Sequence, residues 1–134
     1  MIEAVPEIPD LKHSIFSQLD TLVPSHCVLG TNTSSLSIAD IAAATSRPEQ
    51  VIGMHFFNPV PIMKLLELVR HERTSEATIA LAEQAGEAMG KTTILVQDIP
   101  GFAASRPGAG LGNEPIGMLA DGVAIANAID THRT

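Results

Sequence analysis

Val51-Ile52-Gly53-Met54-His55-Phe56-Phe57 and, beyond the turn Asn58-Pro59-Val60-Pro61, Lys64-Leu65-Leu66-Glu67-Leu68-Val69 decide how this chain folds. Each is an apolar run with one ionisable group near its middle. Short apolar runs bounded by turn residues read as buried strands. A buried carboxylate is costly unless it is paired or hydrogen-bonded, and the simplest remedy is for His55 and Glu67 to meet. A carboxylate that holds one imidazole nitrogen fixes the tautomer and leaves the other nitrogen as a base. The ordinary alternative puts His55 at a strand end near the surface and Glu67 on a solvent-facing position. On pattern alone that alternative is the commoner outcome, since ionisable groups in apolar runs mark sites only in a fraction of cases. The proline turn between the runs excludes helix and fixes φ, so it can hold His55 firmly.

Outward from this pair, strand and helix patterns alternate. Residues 1–5 read as a short strand. Residues 10–21 read as a helix with Leu11, Ile15, Leu19 and Leu22 on one face, Asp10 as its cap and Pro24 ending it. Residues 26–31 form the next strand, and Asn32-Thr33-Ser34-Ser35 follows its carboxyl end, where ligands sit in open α/β sheets. That cluster can hydrogen-bond a substrate oxygen, or it can be a polar loop leading into a helix over 37–45, where Ser37 and Asp40 make a capping-box pattern. Thr74 reads as the cap of a helix reaching Met89 and stopped by Gly90. Its face of Ile79, Ala82, Ala85, Gly86 and Met89 is small enough for close packing on a sheet. A strand over 92–96 and the turn Pro100-Gly101-Phe102 follow. Short links between alternating strands and helices predict an α/β doubly wound sheet. After Arg106, the prolines and glycines at 107, 108, 110, 112, 115 and 117 predict a broken, poorly ordered tail with one short helix over 118–128.

Composition narrows the function classes. The chain has 134 residues, 45% hydrophobic, with a net charge of −7, enough for one modest domain. The acidic balance argues against nucleic acid, and any phosphate site would rest on backbone amides and single cations. No apolar run is long enough to span a bilayer, and no secretory leader pattern opens the sequence. The single cysteine, Cys27, excludes an internal disulfide and fits a reducing cytoplasm. No metal site is expected. Gly108-Ala109-Gly110-Leu111-Gly112 is glycine-rich, but no strand precedes it and its spacing is wrong for a dinucleotide fingerprint.

The wording of three stretches adds a specific likeness. His55-Phe56-Phe57-Asn58-Pro59 running on to Lys64-Leu65-Leu66-Glu67-Leu68-Val69, preceded by Thr31-Asn32-Thr33-Ser34-Ser35-Leu36-Ser37-Ile38 and followed by Asp98-Ile99-Pro100-Gly101-Phe102, resembles the 3-hydroxyacyl-CoA dehydrogenase family, including the 3-hydroxybutyryl-CoA dehydrogenases. The resemblance runs to about Arg106 and more weakly to Asp130. It implies the C-terminal half of a Rossmann-like NAD-binding domain over residues 1–99, and a cut-short beginning of the helical second domain over 100–134. It implies NAD as cofactor and oxidation of (S)-3-hydroxyacyl-CoA to 3-oxoacyl-CoA, in fatty-acid or butyrate metabolism.

By the same resemblance, His55 is the base, Glu67 orients and polarises it, and Ser34 contacts the reacting oxygen beside the nicotinamide. Val5, Pro6, Glu7, Lys12 and Asn58 contact the cofactor. One position departs: where the family has Asn before Arg in the substrate site, this chain has Ser105 before Arg106. The family's glycine-rich loop precedes the part that Met1 begins. The expectation is therefore that this chain by itself is inactive. The alternative is a non-catalytic remnant, or a half-domain that works as a homodimer or with a partner chain supplying the first half of the sheet.

Overall fold

Both apolar runs form strands, and they lie side by side at the heart of one sheet. The computed structural model describes residues 1–100 and Phe102. The expectations for Ser105 and for the tail after Arg106 lie outside the described residues. In chain order the elements are β1 (Ile2–Glu3), α1 (Pro9–Leu22), β2 (Leu29–Thr31), α2 (Ile38–Ala42), a 3-10 turn (Pro48–Gln50), β3 (Val51–Phe56), β4 (Leu65–Arg70), α3 (Glu76–Ala88) and β5 (Thr92–Gln97). The strands make one five-stranded sheet in sequence order. The pairs β1–β2, β2–β3 and β4–β5 are parallel, and β3–β4 is antiparallel. The alternation expected from sequence is therefore present, with one reversal at the proline turn.

Helices cover both faces, which is why β3 and β4 read as nearly unbroken apolar runs. Alternate residues face opposite ways along a strand. Val51 and Val69 join Phe16, Leu29, Ile38, Ile41 and Phe102 in one core layer. Ile52, Met54, Leu66 and Leu68 join Ile79 and Ala82 in the other. By that period His55 and Glu67 lie on the first face, within a layer of aliphatic and aromatic side chains.

The small face expected on α3 is used for close approach. A Cβ placed on Gly86 would come within 2.5 Å of Thr93 Cγ2 on β5, so helix and strand touch there. Gly90 then ends the helix region at φ +71°, a left-handed conformation that glycine adopts at no steric cost.

Two helices differ in detail from expectation. α1 buries Lys12 and Phe16, with Leu19 and Val23 partly buried against the same core, while Leu11 and Leu22 are exposed. The inward face is thus one position round from the leucine stripe. The bulkiest apolar group, Phe16, defines it, and Lys12 one turn earlier is drawn inward by a buried carboxylate. Asp10 does not cap: Ile8 is the N-cap residue, no side chain accepts there, and Pro9 opens the helix. At the far end of α1, the Arg47 guanidinium donates to the carbonyls of Asp20, Val23 and Pro24, carbonyls that a helix end leaves without partners. The second difference is at α3, where Ser75 rather than Thr74 is the cap, accepting from Thr78 N. Thr74 is instead spent on the sheet, donating to Val51 O and accepting from His71 N.

Candidate active site

Because β1, β2 and β3 run parallel, the loops after them emerge at one edge of the sheet. Residues 5–7, 32–35 and 57–61 are therefore neighbours, and β4, running the other way, begins at that same edge. The carboxyl edge of an open α/β sheet is where ligands bind.

His55 and Glu67 are directly opposed in the β3–β4 register. The imidazole Nδ1 lies 2.7 Å from Glu67 Oε2. Glu67 is 0% exposed and His55 7%. An ionised carboxylate can only accept, so with Glu67 ionised Nδ1 carries the proton of this bond, and in the neutral ring Nε2 then presents a lone pair. The ring is wedged between Phe57, with centroids 4.4 Å apart, and Phe102, 5.8 Å away. The turn between the two strands is pinned from below, since the Lys91 ammonium donates to the carbonyls of Val60 and Met63. Sequence reading thus brought these two residues together correctly.

Ser34 stands beside Glu7. Glu7 Oε1 accepts from Ser34 N at 2.6 Å, Thr33 Oγ1 at 2.9 Å and Ser34 Oγ at 3.2 Å. The longest of the three is the Ser34 hydroxyl, the bond easiest to exchange for a ligand oxygen. Thr33 Oγ1 also accepts from Ser35 N and Leu36 N, and Ser37 caps α2. The loop reading of the polar cluster is therefore realised by Thr33 and Ser37, and Ser34 is left exposed on the loop. Asn32 ties this turn to the His55 strand, because its side-chain oxygen accepts from Phe56 N at 3.1 Å.

Val5 is held by Glu3 and Lys12, while Pro6 and Asn58 are exposed at the edge. Lys12, expected at the cofactor, is 0% exposed. Its ammonium bonds Glu3 Oε1 at 2.9 Å, Glu3 Oε2 at 3.0 Å, Asn32 O at 2.9 Å and Val5 O at 3.4 Å. All its donors are committed to the protein. Sequence reading placed Asn32 only within the polar cluster and did not single out Glu3 or Thr31, although Glu3 is an acidic residue inside an apolar strand, the very signal that picked out Glu67.

Comparison with known proteins decides the family. The family model for the 3-hydroxyacyl-CoA dehydrogenase NAD-binding domain matches residues 1–99. The chain belongs to that family. It is 48% identical over 130 residues to a probable 3-hydroxybutyryl-CoA dehydrogenase of Bacillus subtilis, covering 97% of this chain and 45% of the relative. Its fold matches the crystal structure of (S)-3-hydroxybutyryl-CoA dehydrogenase from Ralstonia eutropha at TM-score 0.92 and 43% identity, covering 95% of this chain and 45% of that one. It also matches an NAD+-dependent 5-formyl-3-hydroxy-2-methylpyridine 4-carboxylic acid 5-dehydrogenase at TM-score 0.90 and 30% identity, covering 97% of this chain and 42% of that one. The chain thus spans about half the length of the relatives it matches.

NAD is the cofactor of this domain family, and the edge fits one end of it. Exposed hydroxyl and amide groups at Ser34 and Asn58, with the Glu7 carboxylate between loops, suit the hydroxyls and carboxamide of a nicotinamide riboside. A carboxylate there does not suit a pyrophosphate, and the 134 residues contain no Gly-x-Gly-x-x-Gly turn. Among the described residues, no helix is long and apolar enough to cross a membrane.

Proposed function

We propose that this chain carries the proton-transfer half of an NAD-dependent dehydrogenase acting on (S)-3-hydroxyacyl-CoA, with 3-hydroxybutyryl-CoA the first substrate to try. The observation that carries it is the buried Nδ1–Oε2 bond of 2.7 Å between His55 and Glu67 at the ligand edge of the sheet. His55 Nε2 removes the proton of the 3-hydroxyl. Glu67 favours the imidazolium as it forms, an effect strengthened by its burial. Ser34 donates to the oxygen that changes between hydroxyl and carbonyl. Bound NAD supplies the hydride acceptor. Val5, Pro6, Glu7, Ser34 and Asn58 meet its nicotinamide end, with Lys12 beneath them; Ser105 takes, in sequence, the place of the Asn in the family's substrate site. Residues 1–99 then form the C-terminal half of the NAD-binding domain, and the sequence from residue 100 on corresponds to the start of the family's second domain. The setting is fatty-acid or butyrate metabolism in the cytoplasm.

A second reading, a half-domain that works only with further chain, is favoured by one feature. Among the described residues β1 pairs only with β2, and Met1 and Ile2 are exposed beside an apolar recess lined by His26, Val28, Met54 and Leu81. An open edge with apolar neighbours suits continuation of the sheet. One experiment addresses both readings. Residues 1–99 replace the matching segment of the Bacillus subtilis relative, and NADH formation is followed with (S)-3-hydroxybutyryl-CoA. The chimera is expected to turn over, and His55→Gln within it to lower kcat by about 10²–10⁴-fold. A folded chimera as active with His55→Gln as without it would overturn the assignment.

A further inference from the structure

We propose that Lys12 is a positioning residue: its buried ammonium sets the backbone at Asn32, and through Asn32 it fixes the Ser34 turn against the His55 strand. The inference rests on the roles proposed above for Ser34 and His55, but its test does not need turnover. β1 is two residues long, too short to hold its own loop by ladder bonds. What holds the loop is a closed polar network. Glu3 accepts from Lys12 with both oxygens, from Thr31 Oγ1 at 2.7 Å and from Val5 N. Lys12 also reaches the carbonyls of Val5 and Asn32, and Asn32 N donates to Glu3 O at 2.8 Å.

A buried ion pair adds little net stability, because desolvation offsets the attraction. A fully satisfied network does specify one arrangement of the segments it joins. Here those segments are the two loops that carry Val5 to Glu7 and Asn32 to Ser35. Asn32 is the junction: its carbonyl is held by Lys12 while its side-chain oxygen holds Phe56 N, next in sequence to His55. A change at Lys12 therefore reaches His55 through two hydrogen bonds and one peptide unit.

The test uses the whole chain and the paired substitution Glu3→Gln with Lys12→Met, which removes both buried charges and keeps side-chain volume. The Gln oxygen can still accept from Val5 N, and its NH2 can donate to the Thr31 hydroxyl oxygen, so both contacts keep a partner. Backbone amide exchange and the His55 ring nitrogen signals are read by NMR. Phe56 amide exchange is expected to accelerate about tenfold, roughly what one modest hydrogen bond is worth, while α3 amides stay unchanged and the His55 signals shift. Asn32→Ala alone should reproduce the Phe56 effect and add nothing to it in the paired variant. A folded paired variant with Phe56 and His55 as in the parent would overturn the proposal. So would equal acceleration across α3 and Phe56, or additive effects of Asn32→Ala. An inactive chimera with the Phe56 effect intact would count against the proposed reaction and leave the positioning role standing.

Discussion

His55 and Glu67 face one another across the single antiparallel seam of the sheet, twelve positions apart in sequence and 2.7 Å apart between Nδ1 and Oε2. Directly opposed residues of an antiparallel pair bring their Cβ atoms within about 5 Å, so the register alone delivers the contact. The pair needs no loop to assemble it. That is the property a base requires, because imidazole and carboxylate must keep their geometry as charge develops.

Gly86→Ala should destabilise the fold. In a helix the change ordinarily helps by about 1 kcal/mol. Here the new methyl group would lie 2.5 Å from Thr93 Cγ2, and overpacking of that kind costs about 1–3 kcal/mol. The packing term wins, so the urea midpoint falls. Thr93→Ser removes the offending methyl group and should restore the midpoint in the double variant. An unchanged or raised midpoint in Gly86→Ala alone would mean α3 sits farther from β5 than described.

Stability should fall on acidification through Asp20. Its carboxyl is held below the usual range by hydrogen bonds from Ser46, chiefly the backbone amide, and by Arg47. A depressed folded-state value makes the carboxylate a stabilising group above the unfolded value of about 3.9. That contribution disappears as pH drops through the lower folded value. Asp20→Asn should therefore unfold at lower urea than the parent at pH 7, with the gap closing below about pH 3.9. A gap independent of pH would remove the electrostatic account.

The 134-residue chain should bind NAD no better than about millimolar, measured by isothermal titration calorimetry. Among the described residues the edge offers groups suited to a nicotinamide riboside and none suited to a pyrophosphate, whose charge-assisted bonds are each worth about 1.5–3 kcal/mol. Micromolar binding would contradict this and require a phosphate site elsewhere in the chain.

Much of this architecture was legible in the residues. Apolar runs interrupted once each fixed β3 and β4 and picked out the histidine and the glutamate. The proline turn marked the break between them, and Gly90 the end of α3. The leucine stripe of α1 misled because a buried Lys12 satisfied by Glu3 reads, in sequence, as a surface cation. Asn32 was legible only as one polar residue among four; its contact with Phe56 N depends on β2 and β3 being neighbours, which pattern does not reveal. Thr74 was mistaken for a cap because either Thr74 or Ser75 can cap a helix, and the sheet, not the helix, claimed Thr74.

The side-chain nitrogen spectrum of His55 in the labelled chain, assigned by its loss in His55→Gln and recorded at alkaline pH, tests the central claim most directly. The ring should be a single neutral tautomer with the proton on Nδ1 and an unprotonated Nε2, as a carboxylate at 2.7 Å from Nδ1 requires. A proton on Nε2, or the averaged signals of two interchanging tautomers, would contradict it.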